Sequence, residues 1–172
     1  MEYIIQGISI AGMACHISSF QIKKNSVLFF MQTLGSLLFL IHYFMLGEMT
    51  GAIMNVLGVT RGLVFLQGEK LRKPWVLGVL WILTIGCVII TWDGIKCLLP
   101  LVAMLASTTA MHLNNGKVIR IAQLFATSPC WLIYNILVGS LGGTLCEAFI
   151  MTSTIISFIR YGVNGFEKAE NK

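Results

Sequence analysis

The residues best suited to chemistry in this chain are polar side chains set inside long apolar stretches: Asn55, Arg61 and Glu147, with Phe39 and Trp131 on neighbouring stretches. A carboxyl can hold a cation, take a hydroxyl hydrogen bond or carry a proton. An amide both donates and accepts, and an aromatic face can lie against a solute ring. At membrane depth such groups are costly, and they face a bundle interior or water rather than lipid. Each also has a plainer reading: a carboxyl or amide that ties two helices together, or an aromatic that packs.

Composition makes the membrane setting the one to argue from. Of 172 residues, 56% are apolar and 11% charged, with mean hydropathy +0.83, whereas an ordinary soluble domain carries about 25% charged residues. A globule of this size cannot hide so much apolar surface from water. A soluble enzyme, a disordered tail and a nucleic-acid module are therefore excluded, and the lipid bilayer is the first expected partner. A helical span needs about 20 apolar residues. Seven stretches qualify: 3–21, 26–46, 50–68, 75–92, 95–112, 118–138 and 142–160. The expected fold is all-α, a polytopic membrane protein of seven transmembrane helices. The first stretch reads as a retained span, since Met1, Glu2 and Tyr3 supply no positive leader. Trp92-Asp93-Gly94 reads as the turn dividing the fourth and fifth.

Charge predicts orientation. With the N-terminus outside, the cytoplasmic segments hold ten of the twelve basic residues: Lys23, Lys24, Lys70, Arg72, Lys73, Lys117, Arg120, Arg160, Lys168 and Lys172. Lys96 alone lies in an outer loop and Arg61 lies within the third span. The positive-inside rule makes this N-out and C-in, and Trp75 and Trp92 suit the two interfaces. The net charge of +5 is thus a mark of topology and not of a nucleic-acid partner. Cys15, Cys87, Cys97, Cys130 and Cys146 show no metal-ligand or CxxC spacing and read as small packing residues. No cofactor, metal or catalytic set is expected.

Sliding the chain on itself by 92 residues brings out an internal match. Phe39 falls on Trp131, His42 on Tyr134, Tyr43 on Asn135, Gly47 on Gly139, Gly51 on Gly143 and Asn55 on Glu147. Each copy has an aromatic-polar helix end, a Gly-led turn, a Gly opening the next helix and a polar residue one turn later. The expected organisation is a first three-helix repeat (1–68), a linker helix (69–94), a second three-helix repeat (95–162) and a cytoplasmic tail (163–172). An odd linker returns the chain, so both repeats cross in the same direction, a recognised transporter plan.

That three-plus-one-plus-three, N-out plan resembles the SWEET and PQ-loop transporters, as does the segment SSFQIKKNS at residues 18–26. The resemblance implies a pocket built from Phe39, Trp131, Asn55 and Glu147, where those families carry Trp and Asn in place of Phe39 and Glu147, with Pro100 and Pro129 at their helix bends. The strings LFFMQTLGSLLFLIHYFMLGEMTGAIMN and WLIYNILVGSLGGTLCEAFI resemble more closely the YgjV-type bacterial inner-membrane proteins. This implies an inner-membrane, multi-pass location and leaves the activity open.

The expected site follows. Glu147 lies five residues past Gly142, roughly 7–8 Å along a helix, with Asn55 at matching depth. Phe39 and Trp131 are placed to sandwich a solute ring. His42, Tyr43, Tyr134 and Asn135 form an outer vestibule or gate, or else interfacial anchors. Arg61 contacts an anion or gates; the simpler reading is a structural pair or a snorkel to the cytoplasm. Six residues turn about 240°, which predicts that Arg61 does not share a face with Asn55. His16 reads as a packed histidine, and Pro129 as a hinge or static bend. Gly7, Gly12, Gly35, Ser36, Gly142 and Gly143 are expected at close helix approaches, and Gly58-x-x-x-Gly62 adds a homo-oligomer as a candidate partner. The expected function is a transporter or facilitator of a small-molecule solute. The alternative is a non-transporting assembly or interaction protein, which would lack a polar cavity between the halves.

Overall fold

The computed structural model describes residues 2–166, and among them the secondary structure is wholly helical. Seven helices follow one another: α1 (Glu2–Ser19), α2 (Asn25–Leu46), α3 (Met49–Leu66), α4 (Pro74–Ile90), α5 (Leu98–Leu113), α6 and α7 (Leu141–Tyr161). Helix α6 runs without a gap through Gly116–Ala122, a π-helical turn at Gln123–Thr127, and Ser128–Leu137. The seven predicted stretches coincide with these helices, the ends differing by no more than three residues. Four segments are long and apolar enough to cross a membrane: Asn25–Leu46, Met49–Leu66, Ile95–Leu113 and Gly142–Tyr161. Helix α4 is more apolar still but has 17 residues. Lys168 and Lys172, with the rest of 167–172, lie outside the described residues.

Pro129, expected as a hinge or static bend, follows a π turn at Gln123–Thr127 within the sixth helix. Pro129 has no N–H for the carbonyl one turn back, and a π turn absorbs one extra residue where the regular ladder fails. Glycine sets the two hairpin turns that flank the site. Gly47 and Gly139 both have positive φ, +79° and +71°, a region open to glycine without a Cβ penalty. In one turn the Gly47 and Glu48 N–H groups donate to the carbonyls of Phe44 and Tyr43. In the other the Gly139 and Ser140 N–H groups donate to those of Ile136 and Asn135. The two turns have the same hydrogen bonds at the same spacing. Trp92-Asp93-Gly94 is a turn as expected, with Gly94 at φ +83°.

Packing closes six helices into a ring: α1 on α2, α2 on α3, α3 on α5, α5 on α6, α6 on α7, and α7 back on α1. Helix α4 lies outside it against α3 and α5. Hydrogen bonds between helix ends set the directions. Thr50 Oγ1, opening α3, donates to the Thr91 carbonyl just past α4. Asn25 Nδ2, opening α2, donates to the Asn114 carbonyl closing α5. Arg120, early in α6, reaches the end of α1 and Ser157 near the end of α7. The starts of even-numbered helices therefore meet the ends of odd-numbered ones. Large apolar side chains such as Ile82, Ile89, Ile90, Phe125 and Ile159 cover the exterior, with Trp75 and Trp92 also exposed.

The glycines show which approaches are close. A Cβ on Gly58 would meet Ser36 Oγ at 2.9 Å, and one on Gly62 would run into Thr33. The GxxxG face is therefore occupied by α2 of the same chain. Gly12 and Gly35 lie against Phe39 and His16, whereas Gly7 has no heavy atom within 4 Å of a built Cβ, so no close approach explains that glycine.

Candidate functional site

The six-helix ring encloses a cavity of about 70 Å³, room for on the order of five water molecules. Each helix of the ring contributes to it: His16 from α1; Gln32, Ser36, Phe39 and Tyr43 from α2; Asn55, Gly58 and Arg61 from α3; Ser107 from α5; Gln123, Thr127, Trp131 and Asn135 from α6; Gly143, Cys146 and Glu147 from α7. The four expected binding residues, Asn55, Glu147, Trp131 and Phe39, all line it. Five lining pairs stand 92 residues apart: Phe39 and Trp131, Tyr43 and Asn135, Met54 and Cys146, Asn55 and Glu147, Gly58 and Ile150.

Glu147 is held by a short relay on the second half of the chain. Gln123 Nε2 donates to Ser128 Oγ at 2.8 Å, and Ser128 Oγ donates to Glu147 Oε2 at 2.6 Å. The π turn lies within this relay, since Gln123 and Ser128 bracket it. On α6 the cavity-facing residues Gln123, Thr127, Trp131 and Asn135 recur every fourth position. Asn55 Nδ2 donates back to the Gly51 carbonyl on its own helix at 2.9 Å.

Arg61 corrects two expectations. It lines the same cavity as Asn55, because Asn55, Gly58 and Arg61 sweep an arc that the cavity spans and the arginine side chain is long enough to reach round it. It is also neither ion-paired nor snorkelling. Only 9% exposed, its Nη1 donates to Ser107 Oγ and, at 3.3 Å, to Thr108 Oγ1, both on α5. Its Nε has no hydrogen-bond partner. The ion pairs among the described residues are Arg72–Glu69 and Lys96–Asp93, so neither Glu147 nor any other described carboxylate counters it.

The aromatic sandwich is corrected too. Between Phe39 and Trp131 stands Tyr43, 6.0 Å from the first ring centroid and stacked at 6.4 Å on the second. Tyr43 OH donates to Asn135 Oδ1 at 2.6 Å, both side chains buried. This bond joins α2 to α6 across the ring at the end bearing the Gly47 and Gly139 turns. Two glycines make room for it: Gly51 lies against the Tyr43 ring and Gly143 against the Asn135 amide. His42 and Tyr134 are 2% and 0% exposed, so they are not interfacial anchors. They pack edge-on to Tyr43 and Trp131 respectively, and His42 Nδ1 lies 3.3 Å from the Ile5 carbonyl.

At the opposite end stands a residue whose setting charge counting does not show. Arg120, counted with the cytoplasmic basic residues, is fully buried. It donates to the carbonyls of Phe20, Ile22 and Gly116 and to Ser157 Oγ, at 2.7–3.0 Å, and its guanidinium lies 3.7 Å from the Phe166 ring centroid. Nearby, Gln21 Nε2 donates to the Ser153 carbonyl and hydroxyl. Together these tie α1 to α7. Among the described residues no three His, Cys, Asp or Glu side chains gather as a metal site.

A family model described as "Bacterial inner membrane protein" matches residues 3–164. The inner membrane protein YgjV of Escherichia coli (strain K12) is 26% identical over 159 residues, covering 92% of this chain and 85% of that protein. No solved structure matches. With nearly its whole length matched, the chain belongs to the YgjV family of bacterial inner membrane proteins.

Proposed function

We propose that the chain is a transporter or facilitator of a small polar solute, which it binds in the central cavity between two three-helix repeats. In this reading α1–α3 and α5–α7 are the repeats, α4 is the linker, and all seven helices cross the bilayer with the N-terminus outside. The plan is that of the SWEET and PQ-loop transporters. The observation that carries the reading is the set of lining pairs 92 residues apart, Asn55 with Glu147 and Phe39 with Trp131 among them. The matching Gly47 and Gly139 turns support it, as do the common directions of the odd-numbered helices. A cavity lined by polar side chains between the two sets of helices also speaks against a purely non-transporting assembly or interaction protein, because burying polar groups without a partner is costly.

In this orientation the Tyr43–Asn135 bond closes the outer end and the Arg120 cluster holds the inner end. Opening to either side means breaking one of these while keeping the other, as alternating access between parallel repeats requires. The experiment is flux through reconstituted protein. In proteoliposomes screened with small radiolabelled polar solutes, the reading expects saturable uptake that falls at least about ten-fold (roughly 1.4 kcal/mol) in the double variant Asn55→Ala, Glu147→Ala. Undiminished flux in that variant removes the cavity from consideration. If transport is proton-coupled, Glu147→Gln abolishes accumulation against a gradient and leaves exchange intact.

A further inference from the structure

The two buried arginines spend their hydrogen bonds differently. Arg120 uses Nε, Nη1 and Nη2 on three backbone carbonyls and a serine, as a structural arginine should. Arg61 is also buried, yet it meets only two neutral hydroxyls through one nitrogen, while its Nε is unpartnered. A guanidinium has five N–H donors and matches a carboxylate in a fork. A buried cation without a counter-ion is strongly unfavourable, and this one has no carboxylate against it among the described residues, which suits an anionic partner. The same cavity holds Glu147, which has one oxygen on Ser128 and, among the described residues, no cation within ion-pair distance.

Arg61 follows Asn55 by six residues, about 9 Å along a helix axis, so the positive and polar-acidic features are spread along the cavity rather than gathered at one point. A solute that brings one charge would satisfy one of them. A solute that brings both, and is neutral overall, satisfies the two without adding net charge to an apolar bundle.

Building on the solute-pocket reading above, we propose that the cavity takes a small zwitterion, its carboxylate on Arg61 and its ammonium group on Glu147 and Asn55. A volume near 70 Å³ suits a molecule of only a few heavy atoms.

The test uses the full chain in lipid nanodiscs with glycine, β-alanine and 4-aminobutyrate as probes, against propionate, ethylamine and glycerol at equal concentration. Binding is read as a saturable rise in melting temperature and by calorimetry. The proposal expects at least one zwitterion to bind while the three single-function solutes do not. It expects Arg61→Gln to weaken that binding ten-fold or more, Arg61→Lys to retain part of it, and Glu147→Gln to shift the preference towards propionate. Probe discrimination on the unaltered protein stands even if Arg61→Gln fails to fold. Absence of zwitterion binding, or equal affinity in a folded Arg61→Gln, overturns the proposal. If glycerol passes saturably through the protein in an Asn55- and Glu147-dependent way while no zwitterion binds, the inference fails and the pocket reading survives. If no polar solute crosses at all, the pocket reading itself falls.

Discussion

The first and last three helices share a frame and differ in chemistry. Both have a Gly-led turn with the same pair of backbone hydrogen bonds, and in both a glycine on the third helix of the set accepts a side chain of the second at close range. Where the first set has an unbroken α2 and a neutral Asn55, the last has a π turn before Pro129 and the relay Gln123, Ser128, Glu147. Where the last has Arg120 bound to carbonyls, the first has Leu28, also fully buried but apolar. Elements common to both sets are those that build the ring. Elements peculiar to one supply the carboxyl and the lock. A frame can be duplicated without loss, whereas a second buried carboxyl or a second unmatched arginine would add a second desolvation cost.

The sharpest way to break the comparison is at Arg120, which has no polar counterpart. Arg120→Ala strands three carbonyls and a serine hydroxyl, each buried acceptor left without a donor costing about 1–3 kcal/mol. The corresponding Leu28→Ala costs roughly 2–5 kcal/mol by cavity formation alone. Reversible unfolding in bicelles separates the two, because only Arg120→Ala should also loosen α1 from α7 in hydrogen exchange at Phe20–Ile22. Equal exchange in both variants contradicts the lock.

Gly51→Val and Gly143→Val come next. Each pushes a branched side chain into Tyr43 or Asn135, an overpacking cost of about 1–3 kcal/mol. Since both act on one hydrogen bond, the double variant should cost less than the sum of the singles; strict additivity argues that the two glycines do not serve a common contact. Tyr43→Phe removes only that hydrogen bond, worth about 0.6–1.7 kcal/mol inside a membrane bundle. It should raise the rate at which polar thiol reagents reach the cavity from outside. Pro129→Ala has the smallest effect on stability, under about 1 kcal/mol, since it restores a donor without disturbing the core. Its readout is flux: a bend that matters for opening slows transport at unchanged melting temperature, and unaltered flux makes it static.

Much of the frame was legible in the sequence because apolar length and glycine placement are local signals. The seven helices, the turns at Gly47, Gly94 and Gly139, and the gathering of Asn55, Glu147, Phe39 and Trp131 at one cavity follow from them. What escaped is what depends on neighbours. Arg120 reads as a topology charge when counted with Lys117, and nothing local tells that it turns inward to carbonyls of α1. The π turn inserts one residue without disturbing the apolar pattern; Pro129 and the four-residue spacing of Gln123, Thr127, Trp131 and Asn135 were its signals. Arg61 was set apart from Asn55 by helical angle alone, which ignores both side-chain reach and the breadth of the cavity. Tyr43 was placed in a vestibule, and its role between Phe39 and Trp131 needs three helices to be seen together.

The central claim is that Asn55 and Glu147 face one cavity lined by polar side chains while the residues that follow them, Val56 and Ala148, face outward, and thiol accessibility tests it directly. In a variant lacking the five native cysteines, single cysteines are placed at Asn55, Val56, Glu147 and Ala148, and each is treated in proteoliposomes with a charged methanethiosulfonate reagent. The account predicts modification at 55 and 147, slowed by a transported solute, and none at the exposed positions 56 and 148. Reaction at 56 and 148 with protection at 55 and 147, or no difference between neighbours, contradicts it.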